Sequence, residues 1–285
     1  MNFIERLKNI QGKNPSDVCV GLDLDIQKIP EWFLNGYLNS AKSGVVAYGE
    51  EIVKATAPFA CAFKINSAFF EALGSKGFKD MEDLFRFIQK EYPEHLVIWD
   101  TKRGDIGNTA KQYAMAAFEK HNLNADAMTV SPYLGFDSIS PYLEYKDKMI
   151  FVLCLTSNKG AQDFQMIPIQ ARETIPPNNF LFHEVANKIK EWGLEEQIGM
   201  VVGATQAAQL KSIRDIVGPK RVILIPGIGA QGGDLEATVK ANNDGLFLIN
   251  SSRAIVFASK EKDFAQAAAK AAMNLRDQIN ALKGC

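Results

Sequence analysis

Histidine is scarce in this 285-residue chain. His95, His121 and His183 lie far apart and form no i, i+4 pair, so the spacing that gathers imidazoles around a metal is missing and each reads as a surface or helix-end residue. Cysteine is nearly as sparse: Cys19, Cys61, Cys154 and Cys285 show no CxxC spacing, and three of them stand inside apolar runs. That pattern points to reduced, buried thiols of a cytoplasmic protein rather than to disulfides or a metal site. No stretch approaches the roughly 20 apolar residues of a membrane span. The opening MNFIERLKNIQGKN has a Glu and no long apolar core, so it reads as a short amphipathic helix and not as a signal peptide. Charge of one sign is also lacking, with 32 Lys plus Arg against 33 Asp plus Glu and no acidic or basic block. A nucleic-acid surface or an anionic membrane needs a basic footprint, so the balance argues against both partners. A small anionic ligand held by a few placed cations is left open.

Hydrophobic residues make up 47% of the chain, enough for a substantial core. They are grouped into eight short apolar runs: DVCVGLD (17–23), ACAFKIN (60–66), HLVIWD (95–100), DAMTVSP (126–132), KMIFVLCLTS (148–157), IGMVVGAT (198–205), KRVILIPGIG (220–229) and GLFLINSSR (245–253). Between them lie amphipathic segments such as SGVVAYGEEIVKATAPF, MEDLFRFIQKEYP, NTAKQYAMAAFEKH, QAAQLKSIRDIVG and DLEATVKANND, with apolar residues three or four apart. Eight such units predict an α/β fold, a single-domain (βα)8 TIM barrel over residues 1–285 with a short N-terminal helix. An open doubly wound sheet is the competitor, because alternation alone does not say whether the sheet closes. Surplus length falls after the first strand (24–41) and after the fifth (156–182), on the face where barrels assemble their sites. The second insertion contains IPIQARETIPPNN, too rich in Pro and polar residues for a regular element. It reads equally as a lid or as a permissive surface loop.

The densest chemistry lies in WDTKRGDIGNT (99–109), which sets Asp100, Lys102, Arg103 and Asp105 within six residues directly after the apolar Leu96–Trp99 run. Alternation along a strand aims Asp100 and Lys102 the same way as Leu96 and Ile98, and the Gly104 turn carries Asp105 towards a helix starting near Asn108. Asp23 ends the first run, and Lys64 sits in phase with Ala62 and Asn66 in the second. A buried lysine needs a carboxylate partner or must lose its charge. Asp23, Lys64, Asp100 and Lys102 therefore form a patch of alternating sign at one end of three consecutive strands. A structural ion network is the bland alternative, but the catalytic end of the barrel favours a site whose charges are fixed before substrate arrives. The fifth run ends in Thr156, Ser157, Asn158 and Lys159. The seventh runs into Pro226, Gly227, Ile228, Gly229, Ala230, Gln231, Gly232 and Gly233, and the eighth ends at Ser251, Ser252 and Arg253. Glycine loops in those two places let backbone N–H groups converge on a phosphate, with an arginine as forked cationic partner.

Taken together these residues resemble the orotidine 5'-phosphate decarboxylase family over nearly the whole chain. FKINSAFFEALG and WDTKRGDIGNTA are similar to its longer bacterial (type 2) branch, and the D-x-K-R-G-D-I-G-x-T string is matched from Asp100 to Thr109. The resemblance implies a carboxy-lyase of pyrimidine biosynthesis that converts orotidine 5'-phosphate to uridine 5'-phosphate without metal or cofactor. It implies a charged tetrad of Lys64, Asp100, Lys102 and Asp105, with Lys102 protonating C6. It further implies ribose contacts from Asp23 and Lys64, a pyrimidine contact from Ser157, and 5'-phosphate contacts from Gln231, Arg253 and backbone near Pro226, Gly229 and Ser252. Asp105, Ile106 and Thr109 are expected to reach a partner's site in a homodimer, and the segments after strands 5 and 7 to close as lids. The enzyme alternative is a sugar-phosphate aldolase or epimerase on a related barrel. That enzyme would share the phosphate loop and a D-x-K strand end, but would want a metal and would not need RGDIGNT. A non-catalytic nucleotide-binding barrel is the rival of another class.

Overall fold

The structure, a computed structural model, describes residues 1–170, 179–229, 232–242 and 244–284. Within them, eight parallel strands close into a barrel: β1 (Val18–Leu22), β2 (Ala62–Asn66), β3 (Leu96–Arg103), β4 (Ala127–Val130), β5 (Met149–Leu155), β8 (Ile198–Val202), β9 (Ile223–Pro226) and β10 (Phe247–Ser251). Neighbours follow chain order, and β1 pairs with both β2 and β10. Closure, which alternation could not decide, is thereby settled against an open sheet.

The strands are apolar on both faces because both faces are covered. Leu96 and Ile98 point into the barrel with Cys19, Ala62, Ala127, Met149, Phe151, Val201, Leu224 and Leu248. Val97 and Trp99, one residue out of phase, pack outward against the helices. Helix α1 (Phe3–Lys13) begins with a capping box in which the Asn2 side chain accepts from Glu5 N–H and the Glu5 carboxylate accepts from Asn2 N–H. Its apolar stripe of Phe3, Ile4, Leu7 and Ile10 joins the interior cluster, and the Phe3 ring meets Phe151 edge-on at 5.7 Å. The N-terminal helix thus stoppers the barrel at the strand N-termini. Burial of Phe3 and Leu7 stabilises that plug by about 1.5–3 kcal/mol each. Arg6 pairs with buried Asp126, which also accepts from Val97 N–H at 2.8 Å. With the bottom sealed, the opposite end is left for a ligand.

The outer ring comprises α2 (Glu31–Asn35), α3 (Gly44–Thr56), α4 (Ala68–Glu71), α5 (Gly74–Glu91), α6 (Gly107–Phe118), α7 (Leu181–Trp192), α8 (Ala207–Val217), α9 (Leu235–Asn242), α10 (Arg253–Val256) and α11 (Phe264–Lys283). The fourth unit departs from a strict (βα)8 pattern: β4 is followed by two 3-10 turns, Phe136–Ser138 and Ser140–Glu144, the second with Pro141 near its start. The insertion after β1 is pinned sideways. Phe33 packs its ring against Tyr48 and Phe264 at 5.4 and 5.3 Å, and Trp32 donates its indole N–H to Lys260 O at 3.1 Å.

After β5 the proline-rich stretch is more regular at its ends than its composition suggested, because β6 (Pro168–Ile169) pairs antiparallel with β7 (Asn179–Phe180). Its middle, 171–178, and the lid reading attached to it lie outside the described residues. Cys19, Cys61 and Cys154 are free and buried, while Cys285 also lies outside. His183 is buried at the start of α7, where Nδ1 accepts from Phe180 N–H at 3.1 Å and Nε2 lies 2.9 Å from Ser212 Oγ. His95, expected at the surface or a helix end, is half-buried at the head of β3 with Nε2 2.9 Å from Ala57 O. Among the described residues no helix is long and apolar enough to cross a membrane.

Candidate active site

At the open end of the barrel the alternating charges of the first three strands meet in one line. Lys64 Nζ lies 3.8 Å from Asp23 Oδ1 and 2.6 Å from Asp100 Oδ2, and Lys102 Nζ lies 2.6 Å from Asp100 Oδ1. Burial grades along the line: the Lys64 and Asp100 side chains are 5% and 9% exposed, that of Lys102 49%. Lys102 is thus the cation turned towards the cleft. Burial disfavours the Lys64 ammonium, but the carboxylates of Asp100 and Asp23 outweigh it and hold the amine above the ordinary lysine range. Burial likewise disfavours the Asp100 carboxylate, and Lys64 with Lys102 overcomes this to hold it well below the usual range. Both stay charged at neutral pH. Beneath them burial pushes the Cys19 thiol up to about 12, so it is a neutral floor group.

Asp100 and Lys102 do reach one another, but simple alternation is not the cause. Trp99 pairs with Met128 and Arg103 with Val130, so four steps of β3 span two of β4. The surplus bulges out, and Lys102 takes φ +49°, a left-handed conformation uncommon for a residue with a side chain. Thr129 of β4 holds the bulge. Its Oγ1 accepts from Thr101 N–H and Lys102 N–H at 3.0 and 2.9 Å, and donates to Asp100 Oδ1 at 2.9 Å.

Arg103 turns the other way, bonding Glu71 at 2.5 Å and lying over the Trp99 and Tyr113 rings at 5.8 and 5.3 Å. Asp105 accepts from Ile106 N–H at 2.7 Å just ahead of α6. Ile106 and Thr109 are exposed, and none of these three lines the cleft. Ile106 instead borders a separate shallow hollow with Lys111, Asp137 and Glu144. The dense charge cluster is therefore divided: Asp100 and Lys102 inward, Arg103 behind the sheet, and Asp105 on the outer rim.

The cleft measures about 670 Å³, within the range of small-molecule sites. It is floored by Leu153, Val201 and Leu224, and walled opposite the charges by Pro226, Gly227, Ile228, Ser252 and Arg253. Gly227 and Gly229 take φ +109° and +78°, and the turn is closed by Gly233 N–H donating to Gly227 O at 3.1 Å. Gly229 is exposed, near Ala254, and is not among the residues lining the cleft, and Gln231 lies outside the described residues. Ser157 lines the cleft beside Thr156, whose N–H donates to Gln165 Oε1 at 2.7 Å. Gly21 is required by close approach, since a Cβ there would stand 1.9 Å from Ser252 Oγ.

Several lining residues were not singled out from the sequence: Thr129, Asn250, Gln165, and Asp25 with Lys28, which pair at 2.9 Å. Alternation with Ala127 turns Thr129 inward, and alternation with Leu248 does the same for Asn250, so those two were within reach of the same rule that found Lys64. Asn250 Oδ1 is buried without a hydrogen-bond partner. Among the described residues no group of three or more His, Cys, Asp or Glu is placed to hold a metal.

Residues 16–270 match the model of the orotidine 5'-phosphate decarboxylase / HUMPS family. The chain belongs to this family. Orotidine 5'-phosphate decarboxylases of Dehalococcoides mccartyi and Cupriavidus necator are each 46% identical to it, over 283 and 284 residues and 98% of both chains. Among solved structures, the orotidine monophosphate decarboxylase of Leishmania donovani matches all of this chain and all of its own, at 34% identity and a TM-score of 0.78. Membership of the orotidine 5'-phosphate decarboxylase family fits both halves of the cleft, the charged line on one wall and the glycine turn with its arginine on the other.

Proposed function

We propose that this chain decarboxylates orotidine 5'-phosphate to uridine 5'-phosphate in pyrimidine synthesis, in the cytoplasm, as a carboxy-lyase that uses no metal or organic cofactor. The observation that carries the reading is the Asp23–Lys64–Asp100–Lys102 line, fixed in place at the mouth of a cleft sized for a nucleotide. Loss of carbon dioxide from C6 of the orotate ring leaves a carbanion that the ring does not delocalise, so a general base gains nothing. A fixed cation lowers the barrier by meeting the charge as it develops. Lys102 supplies that cation and then the proton, as general acid. Asp100, beside the leaving carboxylate, orients Lys102. Asp23 and Lys64 take the ribose hydroxyls and Ser157 the pyrimidine. Arg253, Gln231 and backbone N–H groups near Pro226, Gly229 and Ser252 take the 5'-phosphate. Binding energy at that remote end is available to close the segments after β5 and β9 over the ring.

The site is completed across a homodimer, with Asp105, Ile106 and Thr109 serving the partner. The segments after β3 and β4 support this by leaving Ile106, Met115, Tyr133, Leu134 and Phe136 exposed, an apolar set suited to an interface. Purified protein is expected to consume orotidine 5'-phosphate in the presence of a chelator, seen as loss of the orotate absorbance. No turnover, or turnover abolished by chelation, overturns the assignment. Mixing Lys102→Ala and Asp105→Ala subunits tests the shared site: random exchange restores about a quarter of parental activity, because half the dimers are mixed and each holds one intact site. Confirmed exchange with no activity rejects the crossing of Asp105.

A further inference from the structure

Thr129 is 1% exposed, and its hydroxyl uses every hydrogen-bonding capacity it has. Its two acceptor positions are filled by Thr101 N–H and Lys102 N–H, so its single proton is committed to Asp100 Oδ1. One oxygen on β4 thereby grips β3 at three points: the two successive backbone N–H groups of Thr101 and Lys102, and the carboxylate that Lys102 Nζ also binds. The β-branched side chain has little χ1 freedom, so the grip is stiff. At the same place the ladder loses register and Lys102 is bent to φ +49°. A side-chain-bearing residue keeps that conformation only where its surroundings over-determine it. The Lys102 side chain is half-exposed and long, and left to itself would sample many rotamers.

We infer that Thr129 is a positioning residue for the reaction: through the bulge and through Asp100 it sets where the Lys102 ammonium stands over the cleft. The inference rests on the reading of Lys102 as the proton donor. Thr129 adds no charge, and its partners lie on β3 alone, whereas the ribose and phosphate contacts come from β1, β2, β9 and β10. Its loss should therefore fall on the chemical step and not on nucleotide binding.

Three variants separate this from a general packing role: Thr129→Val removes the hydroxyl at nearly constant volume, Thr129→Ser keeps the hydroxyl and removes the methyl, and Thr129→Ala removes both. With Val, kcat for orotidine 5'-phosphate is expected to fall on the order of 100-fold, the scale of a displaced catalytic group. The Kd for uridine 5'-phosphate, read by calorimetry, should stay within about twofold of the parent. Ser should recover most of the lost kcat, and Ala should behave as Val does, which also carries the test if Val does not fold. A Val variant with near-parental kcat overturns the inference, as does a Ser variant impaired as badly as Val, or loss of uridine 5'-phosphate binding in step with kcat. If the parent itself does not turn over orotidine 5'-phosphate, the reaction reading fails instead. A crystal structure of the Val or Ala variant then decides the positioning: Lys102 leaving the left-handed region supports it, and Lys102 unchanged rejects it.

Discussion

The two walls of the cleft are built on opposite principles. On the β1–β4 side the charges pair among themselves: Asp100 lies 2.6 Å from each of two lysines and accepts from a threonine hydroxyl as well, and Lys64 also faces Asp23, whose buried Oδ1, 3.8 Å away, has no hydrogen-bond partner. On the β9–β10 side glycines at positive φ shape an open turn, Arg253 is exposed, and the buried Asn250 Oδ1 has no partner. The first wall is organised before a ligand arrives, which is what transition-state electrostatics needs. The second has its polar groups still to be satisfied, which is what ligand binding needs. On the proposed function, that difference separates the chemical step from recognition within one pocket.

The largest break in that comparison is Lys102→Ala, expected to lower kcat on the order of 10⁴-fold with uridine 5'-phosphate still bound; steady-state assay and calorimetry read the two effects. Lys64→Met comes next and acts on folding. It leaves Asp100 buried with one partner fewer and should cost about 3–5 kcal/mol in denaturant unfolding. Arg253→Ala strikes the other wall, lowering kcat/KM by roughly 10–100-fold, the worth of a hydrogen bond to a charged group, with no loss of folding stability. If its melting temperature falls as far as that of Lys64→Met, the contrast between the walls is wrong. Gly21→Ala is smaller, about 1–3 kcal/mol of stability, because the added Cβ drives Ser252 aside.

The smallest expected effect is none. Asp100 is held below its unfolded pKa, so its contribution is present above that value and is lost only as pH falls through the lower folded one. Lys64 is held above its unfolded pKa, so its contribution is full below that value and is lost only as pH rises through the higher folded one. The stability gap between parent and Lys64→Met should therefore be flat from about pH 5 to 9. A slope within that window would show that Lys64 and Asp100 are not both ionised there.

Much of this site could be read in advance because the side-chain period of a strand is two. Once eight apolar runs are assigned to strands, the inward phase of Asp23, Lys64 and Asp100 follows from their in-phase neighbours, and so does their meeting at one end. The same rule reached the right contact for Lys102 by the wrong route, since it holds only while the ladder stays in register, and here four residues of β3 span two of β4. Arg103 belongs to the charge cluster only through its neighbours in the chain. Its actual direction is set by Glu71 and two aromatic rings brought up from α4, β3 and α6. Thr129 was overlooked because nothing in a single hydroxyl marks it as a junction until its three partners are assembled.

What the sequence determined by itself was the inventory and its phase: apolar runs of strand length, charges at their ends, glycines after the seventh run and an arginine after the eighth. These are local properties, written in residue type and spacing. Closure of the barrel, the plug of α1 beneath it, the bulge that turns Lys102 and the split of one charge cluster into inward, backward and outward members were decided only by tertiary structure. Each depends on contacts between residues distant in the chain, whose energies exist only once the elements have packed. The WDTKRGDIGNT stretch supplies the charges, and the strands on either side of it decide which of them reach the cleft.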